Sequence, residues 1–167
     1  METLFENSHV RNKELAKEVY GYYYFKRKIM VALYIILTLS FVEGLLIWIF
    51  EGMFGVALIL VPVYFLFVIY LYFNRVNQMV KMDAESFGKE VTVSITVTED
   101  HLEHTASTGG VAKTEITNVK KVIVTKNLIL LHTKANLIYI FRKDSFTKGT
   151  EAEFMAFLKY KGFKLRV

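Results

Sequence analysis

The sequence predicts an α+β membrane protein, in which a two-helix transmembrane hairpin precedes a small antiparallel β domain closed by a C-terminal helix. Apolar residues are concentrated between Ile29 and Phe73, and the whole chain is 53% hydrophobic, above the roughly 45–50% of soluble domains. From about Asp83, apolar residues alternate with polar ones, which is typical of half-buried strands. After Thr150 the apolar spacing becomes that of a helix.

The apolar block, residues 29–73, divides into two spans, 29–50 and 52–73. Each has about 22 residues, and a helix of that length covers about 33 Å, enough for a hydrocarbon core of about 30 Å. A single helix through the whole block would be far too long. The pair Glu51–Gly52 therefore predicts a tight turn between two spans.

Basic residues near the span ends predict the orientation. Lys26, Arg27 and Lys28 precede the first span, Arg75 and Lys81 follow the second, and the connecting tip has no Lys or Arg. We therefore expect both termini in the cytoplasm and the hairpin in the inner cell membrane.

Residues 1–28 are expected to form a cytoplasmic amphipathic segment. Leu15, Val19 and Tyr22 share one stripe of a helix, which either lies on the inner leaflet or packs against the C-terminal domain. Aromatic residues at the same membrane interface predict an amphipathic belt. They are Tyr20, Tyr22, Tyr23, Tyr24, Phe25, Tyr70, Tyr72 and Phe73.

Residues 83–167 are expected to form a cytoplasmic domain that folds alone, from about Met82. "VTVSITVT" and "HLEHTA" predict two strands, and "STGG" predicts the hairpin turn after them. Further strands are expected around 111–116, 121–125, 128–133 and 137–142, as an antiparallel meander. Thr150 and Glu153 fit a capping box, and Gly162 a helix end. A curved sheet closed by one C-terminal helix is a pleckstrin-homology-like (PH-like) arrangement.

The stretch "EITNVKKVIVTKNLILLHTKANLIYIFRKDSF", followed by "TEAEFMAFLKYKG", resembles the C-terminal domain of YcxB-like bacterial membrane proteins. The resemblance implies two membrane spans joined to a cytoplasmic domain related to PH-like folds. It implies no defined biochemical activity and supplies no catalytic residues.

The sequence predicts no catalytic, cofactor-binding or metal-binding residues, and hence no enzyme. Cysteine is absent, which excludes thiolate chemistry and disulfides. His101 and His104 would point to opposite faces of a strand, and zinc needs three or four convergent ligands. His132 is expected in the core or at an edge. "STGGVAKT" lacks the spacing of a phosphate loop.

Basic residues suggest a binding surface on the domain. Lys120, Lys121, Arg142 and Lys143 are the candidate contacts for anionic lipid head groups or for a partner segment, since an anionic leaflet attracts nearby cations. The alternative is a set of solvated strand ends. The modest basic excess and the membrane tether argue against nucleic acid as a partner.

Glu43 is the unexpected carboxylate inside the first span. In a hairpin that turns at Glu51, it lies level with Leu58, whose carbonyl lacks its usual helical donor because Pro62 has no amide hydrogen. A protonated Glu43 could donate to that carbonyl. The alternative is a carboxylate that extends to the outer interface.

These features predict a non-catalytic inner-membrane adaptor or regulatory protein that presents a PH-like binding module at the bilayer. The alternative is an accessory subunit of a membrane complex such as a transporter, bound through the hairpin. Gly52, Gly55 and Ala57 offer small residues for such an association, with another membrane protein or with a second copy of this chain.

Overall fold

Two long apolar helices and two β-sheets dominate the computed structural model, which describes residues 2–52, 55–87 and 90–166. The chain divides into two units. One unit consists of residues 13–82. In the other, residues 1–12 join the part of the chain that follows Met82.

The first unit is helical. Its elements are α1 (Lys13–Gly21), a π-helix (Tyr22–Lys26), α2 (Lys28–Glu51) and α3 (Ala57–Phe87), the last of which continues past Met82. Lys28–Glu51 and Ala57–Met82 are long and apolar enough to cross a membrane. The amphipathic segment before the spans does form a helix, and α1 buries Leu15, Ala16 and Val19.

Helix α2 ends at Glu51, next to the glycine where the sequence predicts the turn. Gly52 adopts a left-handed conformation (φ 69°), and its amide donates to the Trp48 carbonyl at 3.1 Å. The second helix differs from the expected span 52–73. It begins only at Ala57, after the left-handed residue, and it runs on to Phe87 because no glycine or proline interrupts the polar residues after Phe73.

The second unit contains two sheets. The five-stranded sheet has the order β4-β3-β2-β1-β8, and its strands are β1 (Phe5–Val10), β2 (Thr92–Val97), β3 (His101–Ala106), β4 (Val111–Glu115) and β8 (Phe146–Lys148). The four-stranded sheet has the order β7-β6-β5-β9, with β5 (Val119–Val124), β6 (Leu128–Thr133), β7 (Ile138–Arg142) and β9 (Leu165–Arg166). All neighbours are antiparallel except the short pair of β5 with β9.

The antiparallel meander is therefore confirmed within each sheet, for β2-β3-β4 and for β5-β6-β7. Gly109 turns the chain between β3 and β4 with φ 90°, as the glycines of "STGG" predict. Helix α4 (Glu151–Tyr160) begins with the expected capping box: Thr150 Oγ1 accepts from the Glu153 amide, and the Glu153 carboxylate accepts from the Thr150 amide. Gly162 follows its end with φ 86°.

The core of this unit lies between the two sheets and α4. Phe154 and Leu158 of α4 are buried in it, and the Phe154 ring lies 4.6 Å from that of Phe141 in β7. The inward residues of β2 are Val93, Ile95 and Val97. This α+β domain, antiparallel and ending in a C-terminal helix, agrees with the fold class that the sequence predicts.

Strand β1 is the main difference from the expected organisation, in which residues 1–28 formed one segment apart from the domain. β1 lies between β2 and β8, and it pairs with β2 along its whole length, from Phe5↔Val97 to Val10↔Thr92. Its inward residues are Phe5, Asn7 and His9. Two of these three are polar, so "FENSHV" lacks the apolar alternation by which a strand is recognised.

Because Val10 pairs with Thr92, the helical unit is inserted between two neighbouring strands of one sheet. It occupies the place of the turn in an ordinary β-hairpin. Both flanks of the helical unit therefore belong to one folded domain and must lie on the same side of any membrane that it crosses. An even number of crossings, such as the two candidate spans, satisfies this condition.

We predict that the domain folds alone only when β1 is included. A chain in which a Gly/Ser linker of about six residues replaces residues 13–89 should be soluble and melt in one cooperative transition, because it restores a short β-hairpin loop. Residues 83–166 alone should show no such transition, because they lack β1. Without it, β2 keeps only β3 as a neighbour, and β8 loses the strand with which it pairs. Circular dichroism during heating measures both. A cooperative melt of residues 83–166 equal to that of the linked chain would contradict the role of β1.

Candidate functional site

Two of the four predicted surface cations already have carboxylate partners. Arg142 donates to Asp144 through Nε at 3.2 Å and Nη2 at 2.9 Å, and Lys143 Nζ lies 3.2 Å from Glu151 Oε1. Hydrogen bonding from Ser145, together with the neighbouring Arg142, lowers the pKa of Asp144 and keeps it ionised. The net charge that Arg142 and Lys143 offer to an anionic ligand is correspondingly reduced.

The structure does not bring the four cations together. Lys121 pairs with His132 near the end of β6, whereas Arg142 pairs with Leu128 at its start. These positions are about 13 Å apart along the strand, at about 3.3 Å per residue. Lys120 is exposed at a register shift in β5. The candidate surface thus consists of two separate pairs at opposite ends of one sheet.

The structure places Gly44, rather than Glu43, against the second span. A Cβ at Gly44 would lie 3.5 Å from Ala57 Cβ and 3.7 Å from Leu58 Cγ. Glu43 is exposed on the surface of α2. The level of the contact agrees with the expected pairing of the spans, but the residue that faces Leu58 is the glycine that follows Glu43. Pro62 does lie within α3, as expected.

The histidines considered from the sequence occupy different surroundings. In β3 the inward positions are Leu102, His104 and Ala106, so His101 falls on the other face. The His104 ring meets Tyr139 edge to face at 6.2 Å. His132 pairs with Ile138 in the other sheet. The described residues contain no group of three or more His, Asp or Glu arranged to hold a metal ion.

A buried polar cluster that the sequence did not indicate joins the two sheets. The Asn7 side chain is fully buried and bonds both main-chain groups of Arg142: Nδ2 donates to the carbonyl at 2.7 Å, and Oδ1 accepts from the amide at 3.2 Å. His9 Nδ1 lies 3.1 Å from the same Oδ1. Because an amide oxygen only accepts, Nδ1 of His9 carries the hydrogen.

Burial keeps His9 uncharged. Its side chain is 5% exposed, and desolvation, reinforced by the positive charge of Arg142, lowers its pKa from 6.5 to about 4. Desolvation also lowers the pKa of His104. The cluster therefore acts as a neutral hydrogen-bonded connector between β1 and the end of β7. The sequence contains little sign of this cluster, because neither Asn7 nor His9 belongs to a recognised motif. The polar residues of "ENSH" are the only signal.

A surface pocket of about 390 Å³ lies at the other end of β1, lined by Leu4, Phe5, Lys148, Gly149, Glu153 and Phe157. Gly149 has φ 72°, and a Cβ at this position would lie only 2.5 Å from the Phe5 ring. Glu153 is engaged in the helix cap. The lining thus combines two phenyl rings, from Phe5 and Phe157, with one lysine, Lys148.

Residues 97–158 match the family model of the YcxB-like proteins. This segment of the chain is similar to the YcxB-like domain. The match runs from the last residue of β2 into α4, and it agrees with the resemblance in the strand and helix segments. No curated protein and no solved structure matches this chain.

The matched range of the YcxB-like domain omits β1, which the structure shows to be an inner strand of its sheet. Arg142 lies within the range, but Asn7, which bonds its main chain, and His9, which bonds the Asn7 side chain, lie outside it. The folded unit that contains the YcxB-like segment therefore also includes the strand that precedes the helical hairpin.

We predict that the packing of the spans depends on Gly44. Gly44→Leu should lower the melting temperature in detergent because the added atoms would push Ala57 and Leu58 away. Gly44→Ala should be tolerated, since a Cβ there makes ordinary van der Waals contacts. Glu43→Leu, at the exposed neighbouring position, is the matched control and should keep the wild-type melting temperature. A larger loss for Glu43→Leu than for Gly44→Leu would contradict this packing.

We also predict that acid weakens the domain through His9. The unfolded chain binds a proton near pH 6.5 and the folded chain only near pH 4, so the free energy of unfolding falls as the pH drops through this window. The full loss is about 3.5 kcal/mol, for a shift of about 2.5 pH units at about 1.4 kcal/mol per unit. His9→Gln should flatten this part of the curve, measured as the melting temperature between pH 7.5 and 4. Ser8→Ala, on the opposite face of β1, should leave it unchanged. An unaltered slope in His9→Gln would contradict the assignment.

Proposed function

We propose that this protein is a non-catalytic membrane adaptor or regulator, which presents a PH-like binding module at the inner membrane with both termini in the cytoplasm. The observation that carries the proposal is the insertion of the helical hairpin between β1 and β2. Arg11 and Asn12 alone separate β1 from α1, and residues 88–91 separate α3 from β2. The module is thus joined to its anchor by two short connections rather than by one linker.

The use of buried polar groups supports a non-catalytic role. Asn7 is occupied by the main chain of Arg142. Thr133, also buried, accepts from the Leu137 amide through its hydroxyl at 3.0 Å, and the same hydroxyl lies 3.3 Å from the Leu137 carbonyl. These side chains complete turns and strand ends. Such groups stabilise a scaffold, whereas catalysis needs polar groups directed at a substrate.

The geometry favours a protein segment as the ligand of the module. β4 is the outer strand of its sheet and pairs only with β3. Its residues are largely exposed, including Val111 at 64%. An extended peptide can add to such an edge through main-chain hydrogen bonds. Recognition of lipid by the domain has weaker support, because Arg142 and Lys143 are paired with carboxylates and lie far from Lys121 along the sheet.

The accessory-subunit alternative loses part of its basis. Gly55 lies 3.6 Å, measured from an ideal Cβ, from Gly44 Cα, and Ala57 faces Gly44 as well. These small residues are used for packing within the hairpin. The sequence alone suggested that these residues form a surface for a second membrane protein. Gly55 and Ala57 instead pack against Gly44 of the same chain.

Site-specific photo-cross-linking in cells tests the adaptor proposal. A photoreactive residue at Val111 should cross-link to a protein. The same residue at Tyr160, which is 84% exposed on α4, is the matched control and should not. A shortened chain of residues 13–82 should lose this partner in mild detergent. A partner that residues 13–82 retain would support the accessory subunit and contradict the adaptor, as would equal cross-linking from Val111 and Tyr160.

A further inference from the structure

We propose that the base of the helical hairpin binds the head groups of anionic phospholipids through Lys26, Arg27 and Lys28. The inference rests on that part of the proposed function in which the hairpin crosses a membrane. It assigns the anionic contact to the anchor, whereas the sequence placed it on the domain.

These three cations are consecutive and exposed. Among the described residues, no carboxylate lies within ion-pair distance of them, in contrast to Arg142 and Lys143. Three adjacent, unneutralised cations at the start of a membrane helix attract negative surface charge more strongly than dispersed or paired ones.

The local backbone holds them in a defined arrangement. Lys26 ends the π-helix, in which the Arg27 amide donates to the Tyr22 carbonyl at 2.9 Å. Arg27 is extended (φ −64°, ψ 126°), and α2 begins at Lys28. The break separates α1 from the membrane helix, so the three side chains project from a bend and not from one continuous helix. The bend is stabilised by a hydrogen bond from α2. The Tyr34 hydroxyl donates to the Tyr24 carbonyl at 2.6 Å.

Aromatic rings place this bend at the interface of the bilayer. The ring centroid of Tyr72 in α3 lies 5.2 Å from that of Phe25 and 6.3 Å from that of Tyr24. The aromatic residues before the first span and those at the end of the second therefore meet at one end of the hairpin. Amphipathic rings settle at the level of the head groups. The cations next to them are therefore at the depth of the lipid phosphates.

The neighbouring Tyr23 adds no negative charge to this site. Tyr23 lies in the same π-helix, and burial, together with Tyr22, raises its pKa to about 12. Tyr23 is thus neutral at physiological pH. The three cations at the bend complement the phosphate of a lipid such as phosphatidylglycerol, but they give no preference for the zwitterionic phosphatidylcholine.

Lipid titration of the whole purified protein, followed by native mass spectrometry, tests this assignment. Phosphatidylglycerol should bind more tightly than phosphatidylcholine of the same acyl chains. The triple variant Lys26→Gln/Arg27→Gln/Lys28→Gln should lose this preference, by about fivefold for each charge removed. Arg27→Lys should keep it, because the site recognises charge and depth. The matched control Lys120→Gln/Arg142→Gln/Lys143→Gln should retain wild-type binding.

A salt titration of the wild-type protein keeps the test independent of the folding of the triple variant. The preference should vanish near 1 M salt, where the screening length is about 3 Å. Equal binding of the two lipids, or loss of the preference only in the variant of the domain, would overturn the proposal. Neither result would affect the cross-link from Val111. The adaptor proposal is therefore tested independently of the lipid site.

Discussion

The antiparallel pairing of β1 with β2 is the constraint on which the rest of this structure depends. It joins residues that are about eighty positions apart in the sequence, and it turns a membrane hairpin into an insertion within a β-hairpin. Without β1, β2 would become an edge strand and β8 would lose the strand with which it pairs, and exposed edges are prone to pairing with other chains. With it, the sheet has its five strands, and the two flanks of the hairpin are held a few ångströms apart.

The polar interior of β1 gives this strand a second role. An apolar residue at position 7 would pack into the core, but it would remove the acceptor of the Arg142 amide and leave the Arg142 carbonyl with only the bond from the Ser145 amide. A buried group that loses its partner costs about 1–3 kcal/mol. Asn7 supplies both bonds and acts as a short piece of main chain between the sheets. Asn7 thereby positions the end of β7 and the loop with Lys143 and Asp144 that follows. The strand that carries Asn7 precedes the two apolar helices in the sequence, whereas β7 follows them.

The sequence predicted most of the elements for which periodicity is strong. The two apolar blocks, the meander strands, the turn at Gly109 and the cap at Thr150 all follow from local patterns, because the residues that form them are neighbours in the chain. β1 could not be predicted in this way, since Asn7 and His9 occupy inward positions and their partners lie far away in the sequence. The same reason applies to the candidate sites. Residue types identified Lys120, Arg142 and Glu43, but only the strand register shows that Lys121 and Arg142 are distant, and only the helix packing shows that Gly44 takes the place expected for Glu43.

The order of synthesis gives the position of β1 a consequence for assembly. β1 is made before both apolar helices and its partner β2 after them, so the sheet can close only once the whole helical hairpin has been made. Contacts between such distant segments form late, because the intervening chain must first be arranged. A chain with one helix inserted and the other left outside would strand β1 and β2 in different compartments. The domain would then lack an inner strand and would present open sheet edges to proteases, so its completion distinguishes a correctly inserted chain from a misinserted one.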